Sequence, residues 1–138
     1  MSAERFLLDT CAVLWLFNGS DIAPEVRDRL TEASARKALH VSPISAWEIG
    51  MLAAKERIAL SIPVQDWIDQ VYKHPGISTA ALSEQVLVAS SFLPGAMHGD
   101  PADRILIATA RAEGLTLVTR DSLILSYAQK GHLTALDC

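Results

Sequence analysis

The stretch HGDPADRILIATARAEGLTLVTRD, residues 98–121, spells a helix followed by a strand. Asp100 before Pro101 is the order of a helix cap and its first helical residue, and Asp103 adds an acid to the first turn. Leu106, Ile107 and Ala110 recur on the side of Asp103, while Arg104 and Arg111 occupy another face. Gly114 supplies a stop. The pattern predicts a helix over 101–113 and a short apolar strand over 115–119, closed by Asp121.

The same alternation extends through the rest of the chain. A strand over 5–8 enters a turn at Asp9-Thr10, and a helix over 11–17 ends at Asn18-Gly19. Pro24 opens a helix through residue 33, with Val26 and Leu30 on one face. A strand over 38–41 is broken by Pro43, and a helix follows over 45–55 with Ser45 as its cap. Next come a helix over 63–73, a strand over 77–80, and a helix that Ser83 caps and that runs to Phe92. His98 reads as a residue of the following loop. A helix over 122–130 stops at Gly131, and 133–136 form a last strand. Strands alternating with helices imply an α/β fold, with a mostly parallel sheet covered on both faces. Without repeats or a linker, residues 1–138 read as one domain.

That topology brings four acids together. In a parallel sheet, the loop leaving each strand feeds the next helix at one edge, and ligands bind there. Asp9 and Asp121 each follow a strand. Glu48 lies early in the helix after the second strand. Asp103 opens a helix that must return along the sheet, so its N-terminus shares the edge. Capping alone accounts for any single Asp among these. It does not account for Glu48, whose helical neighbours are Ile44, Met51 and Leu52. A carboxylate on an apolar stripe is costly unless something pairs with it. Four such groups at one edge suggest a divalent cation and metal-assisted chemistry.

Neighbouring residues get lesser roles. Asp100 reads mainly as a cap. Thr10 and Thr119 stand beside Asp9 and Asp121, placed to orient their carboxylates. Arg104 and Arg120 flank the candidates, either to hold phosphates or a partner's chain or, equally, to pair with the nearby acids. Trp15, Trp47 and Trp67 read as core or interface residues.

Bulk properties narrow the class. Of 138 residues, 50% are hydrophobic and 20% charged, enough for a packed core. A net charge of −4 and a pI near 5.5 argue against a generic basic nucleic-acid binder. They do not exclude a nuclease, because metal ions can supply the positive charge. The two cysteines, Cys11 and Cys138, have no CxxC or Cys/His spacing, which argues against structural zinc and a disulfide framework. A reducing cytoplasm is the setting this composition fits. The longest apolar run, CAVLWLF, is far short of the ~20 residues of a membrane span, and it lacks the basic leader of a signal peptide.

The segments LLDTCAVLWLF, ISAWEIGML and HGDPADRILIATARAEGLTLVTRD resemble a PIN-domain protein, and within that superfamily the VapC toxins of bacterial VapBC pairs. The resemblance covers nearly the whole chain, and DPADRILIATA followed by LTLVTRD is its most specific part. It implies a three-layer α/β/α fold whose five-stranded parallel sheet has the order 3-2-1-4-5. It implies a Mg²⁺- or Mn²⁺-dependent endoribonuclease with an intact acidic quartet at Asp9, Glu48, Asp103 and Asp121. Asp9 and Asp103 match the positions most directly tied to the metal. Thr10 or Thr119 matches a hydroxyl often found beside the quartet. It further implies a VapB-like antitoxin as partner, an RNA substrate and a homodimer. Hydrolysis by metal-activated water would leave a 5′-phosphate and a 3′-hydroxyl. Two other readings stand beside it: a housekeeping RNA-processing PIN nuclease, and a non-catalytic protein whose acids hold a structural ion. A dehalogenase-like phosphatase fits poorly, because Asp9 is followed by Thr10 and Cys11 where a DxD is needed.

Overall fold

The computed structural model describes residues 4–95, 97 and 99–138; His98 lies outside the described residues. Five strands, β1 (Phe6–Leu8), β2 (Leu39–Val41), β3 (Ile77–Thr79), β4 (Thr116–Thr119) and β5 (Ala135–Asp137), form one sheet in the order β3-β2-β1-β4-β5. Every pairing is parallel. The helices are α1 (Thr10–Phe17), α2 (Pro24–Ala35), α3 (Pro43–Ala54), α4 (Val64–Tyr72), α5 (Glu84–Ala89), α6 (Pro101–Glu113) and α7 (Ser122–Gln129). The architecture is the expected α/β/α arrangement with strand order 3-2-1-4-5.

Alternation along β1 shows why the fold has three layers. Phe6 and Leu8 face one core, with Val13, Val26, Leu30, Ile49, Trp67 and Val71. Leu7, between them, faces the other, with Leu106, Ile107, Leu117, Ile124 and Tyr127. A strand buried on both faces has no polar positions to spare, as β1 and the inner residues of β4 illustrate. Strand order reverses between β1 and β4, whose register pairs Leu8 with Val118. One step further, that register sets Asp9 beside Thr119.

Most element ends shift by one to three residues from the sequence reading, and three of the shifts have a local cause. Ser42, not Ser45, caps α3: its hydroxyl accepts from the Ile44 N–H at 3.1 Å, and Pro43 is the first helical residue. Ser45 is buried within the helix. Helix α5 ends at Ala89 rather than Phe92. The Ser90 hydroxyl turns back to the Leu87 carbonyl at 2.6 Å, and Phe92 is 79% exposed, so no packing extends the helix. The last strand begins at Ala135, because pairing with β4 starts at Leu117 opposite Ala135, and Leu133 packs against the core that holds Leu117 and Tyr127.

Candidate active site

At the C-terminal edge of β1 and β4, a cleft of about 370 Å³ is lined by five carboxylates: Asp9, Glu48, Asp100, Asp103 and Asp121. All four acids singled out in the sequence lie here. Asp100, read there mainly as a cap, lies here too.

Asp9 is the most constrained. Its backbone N–H continues the sheet by donating to the Val118 carbonyl at 3.1 Å. Its side chain caps α1, with Oδ1 accepting from the Ala12 N–H at 2.7 Å. Oδ2 accepts from the Thr119 hydroxyl at 2.6 Å. Thr119 Oγ1 in turn accepts from the Asp121 N–H at 3.0 Å, so one hydroxyl ties the two acids together. Asp121 caps α7, accepting from the N–H groups of Leu123 and Ile124 at 2.9 and 3.0 Å.

Glu48 is held from the other side. Thr10 donates its hydroxyl proton to Glu48 Oε1. Ser45 Oγ lies 3.0 Å from Thr10 Oγ1. Thr10 has only one proton and commits it to the carboxylate, so Ser45 is the donor between the two hydroxyls. Both threonines therefore orient acids, Thr119 serving Asp9 and Thr10 serving Glu48. Ser45 is a supporting residue that the sequence reading misplaced. The Ser42-Pro43 pair carried the signal, since it repeats the cap-then-proline order of Asp100-Pro101. Asp100 does cap α6, accepting from the Asp103 N–H at 2.9 Å.

Crowding and burial disfavour the ionised forms of Asp9, Glu48 and Asp103. Burial raises Asp9 above the ordinary carboxylate range, opposed by the Thr119 and Ala12 hydrogen bonds and reinforced by Asp121. Burial also raises Glu48, with Asp100 and Asp9 adding to the rise against the Thr10 bond. Asp103 is pushed up to about 7, by burial first and then by Asp100, Glu48, Asp121 and Asp9. Cys11, in the same cleft, is pushed up to about 11 by burial and the surrounding acids, so its thiol stays protonated.

The arginines relieve little of this charge, Arg120 being the least of the influences on Asp9. Arg104 donates to the carbonyls of Ser90 and Met97 at 2.9 and 2.8 Å, bracing the approach to α6. Arg120 lines the cleft but bonds the backbone oxygens of Asp21 and Cys138. Among the described residues, the ion pairs are Arg29–Glu4, Arg36–Glu32 and Lys73–Asp69, all remote from the cleft acids. The tryptophans divide three ways. Trp67 is core and bonds Asn18 at 3.1 Å, Trp47 is 57% exposed, and Trp15 lines the cleft.

An all-oxygen donor set suits a hard divalent cation. Among the described residues, no three His, Cys, Asp or Glu side chains stand close enough to form a ready cage. Mg²⁺ does not require one, since it is usually bound through one or two carboxylates together with water and substrate phosphate. The donors present therefore fit such an ion.

The PIN-domain family profile matches residues 6–130. The chain belongs to the PIN-domain family. Within it, the chain is 38% identical over 111 residues to Ribonuclease VapC22 of Mycobacterium tuberculosis, covering 77% of this chain and 84% of that protein. Two solved VapBC structures share the PIN fold. The DNA-bound VapBC of Salmonella typhimurium superposes with a TM-score of 0.70 at 14% identity, over 97% of this chain and 98% of that one. VapBC2 of Rickettsia felis, bound to a DNA fragment from its promoter, gives 0.67 at 16% identity, over 96% and 98%. Among the described residues of this PIN-domain chain, no helix is long and apolar enough to cross a membrane.

Proposed function

We propose that this chain is the toxin of a toxin–antitoxin pair and hydrolyses RNA with Mg²⁺ or Mn²⁺ held in the cleft of Asp9, Glu48, Asp103 and Asp121, by one or two of these carboxylates together with water and the substrate phosphate. The observation that carries the reading is the gathering of these acids in one cleft with no ion-pair partner among the described residues. The similarity to Ribonuclease VapC22 supports the choice of substrate class. When bound, the ion would activate water and offset the charge that develops on the scissile phosphate.

The chain's own residues do the positioning. Thr119 and the Ala12 N–H fix both oxygens of Asp9, and Thr10 fixes Glu48, so these carboxylates lose little freedom on meeting a ligand. Burial and crowding make Glu48 and Asp103 hold their protons more tightly than ordinary carboxyls, so positive charge entering the cleft favours their ionised forms. The N-termini of α1, α6 and α7 converge here through their caps Asp9, Asp100 and Asp121. Their N–H groups and dipoles favour an incoming phosphate. Attack by water would leave a 5′-phosphate and a 3′-hydroxyl.

A VapB-like antitoxin and a homodimer belong to the same proposal. Exposed Trp47 on α3, with Val88 on α5 and Phe92 beyond it, supports uncovered apolar surface for association. The test is cleavage of RNA in Mg²⁺ or Mn²⁺, abolished by chelator. Asp9→Asn is expected to lower the rate by roughly 100-fold or more while the chain stays folded. Retained activity in that variant would remove the site, and 2′,3′-cyclic phosphate ends would exclude water as the nucleophile.

A further inference from the structure

Arg120 is the only cationic side chain among the ten described residues that line the acidic cleft. Its guanidinium carbon stands 4.0 Å from the centroid of the Trp15 ring. Its Nη2 donates to the backbone oxygens of Asp21 and Cys138, the latter at 3.1 Å. One nitrogen thus makes both backbone bonds, and Nε and Nη1 have no carboxylate partner among the described residues. Of the influences on the Asp9 carboxyl, the charge of Arg120 is the smallest. The guanidinium is exposed, laid on an indole, held by the Asp21 and Cys138 backbone oxygens and by the Cys138 side chain, and unpaired with the acids beside it.

A chain of net charge −4 with five acids in its cleft repels a polyanionic strand. A bound divalent ion would offset that repulsion at the scissile phosphate but not at its neighbours. A guanidinium already held in place loses little rotamer freedom on binding, and its planar donors suit phosphate oxygens. We propose that Arg120, held on Trp15, binds a phosphate of the RNA strand beside the scissile bond and so sets how the strand enters the cleft. This inference rests on the ribonuclease reading above.

The test compares wild type, Arg120→Ala, Arg120→Gln and Arg120→Lys on one RNA oligonucleotide over a range of salt. For Arg120→Ala, KM is expected to rise roughly tenfold or more, the order of one charge-assisted contact, with kcat changed less than about threefold. The slope of log KM against log salt is expected to fall in magnitude by about 0.7, the single-strand value for one phosphate. Arg120→Lys keeps the charge, so it is expected to retain the wild-type slope with an intermediate KM. An unchanged KM and slope would overturn the proposal. So would a loss of thermal stability and kcat at unchanged slope, which marks Arg120 as a clamp on Asp21 and Cys138 and nothing more. If Arg120→Ala does not fold, Arg120→Gln carries the same slope test, because its amide can still donate to those oxygens. If wild type cuts no RNA, the ribonuclease reading falls on its own. RNA binding by Asp9→Asn, with and without Arg120→Ala, then still reads the contact through the salt slope.

Discussion

Thr119 shows how much one hydroxyl can carry. It donates to Asp9 Oδ2 and accepts from the Asp121 N–H, joining the end of β4 to both flanking acids. Thr119→Val keeps the shape and removes both bonds. It is expected to cost about 1–3 kcal/mol of stability, because a buried carboxylate loses a donor. Cleavage is expected to fall by roughly 10- to 100-fold, the usual penalty for freeing a ligand-orienting group. Denaturant unfolding and RNA turnover on the same sample check both values; a variant as active as wild type would show that Asp9 needs no such support. In the sequence, Thr119 was legible only as a hydroxyl next to an acid. Its bond to Asp9 spans 110 positions and follows from the β1–β4 register, which no local pattern contains.

At the scale of elements, the caps do double duty. Asp9, Asp100 and Asp121 each satisfy the first turn of a helix and line the cleft, so the signals that start α1, α6 and α7 also place the chemistry. The far end of α6 lies away from that cleft. Gly114 ends the helix at φ +66°, with open space where a Cβ would stand. Gly114→Ala is expected to cost about 1 kcal/mol, through backbone strain alone. Gly114→Asn is expected to cost less, since Asn tolerates that conformation. Thermal midpoints of the two variants, with RNA cleavage unchanged in both, would check this. Helix α6 and strand β4 were the most legible elements, because cap, periodicity and stop agree. Helix α5 was the least, because its end depends on the turn made by Ser90 and not on apolar spacing.

For the molecule as a whole, the acidic cleft makes metal-free stability depend on pH. The folded value for Asp103 is about 7, against an ordinary unfolded value of about 4. A carboxyl raised on folding favours the fold while protonated, so its contribution is present below the unfolded value and is lost as pH rises through about 7. Asp9 and Glu48 act with the same sign. In chelator, the thermal midpoint is expected to fall between pH 5 and about pH 7.5, and Asp103→Asn is expected to flatten that fall. Added Mg²⁺ is expected to raise the midpoint more at the higher pH, where it no longer competes with protons. A Mg²⁺ response that ignores pH would speak against these carboxylates as its ligands.

The sequence by itself determined the alternation of strands and helices, the three-layer fold and the four acids that meet. Each of these follows from local rules: period, cap, stop, and the single edge to which a parallel sheet delivers its loops. Glu48 was the decisive local clue, since no capping role explains an acid among Ile44, Met51 and Leu52. Only the tertiary structure decided which hydroxyl serves which acid, that Asp100 joins the cleft, and that Arg120 rests on Trp15 without pairing with the carboxylates beside it. Those facts depend on side-chain directions across elements far apart in the chain, and a one-dimensional pattern does not record them.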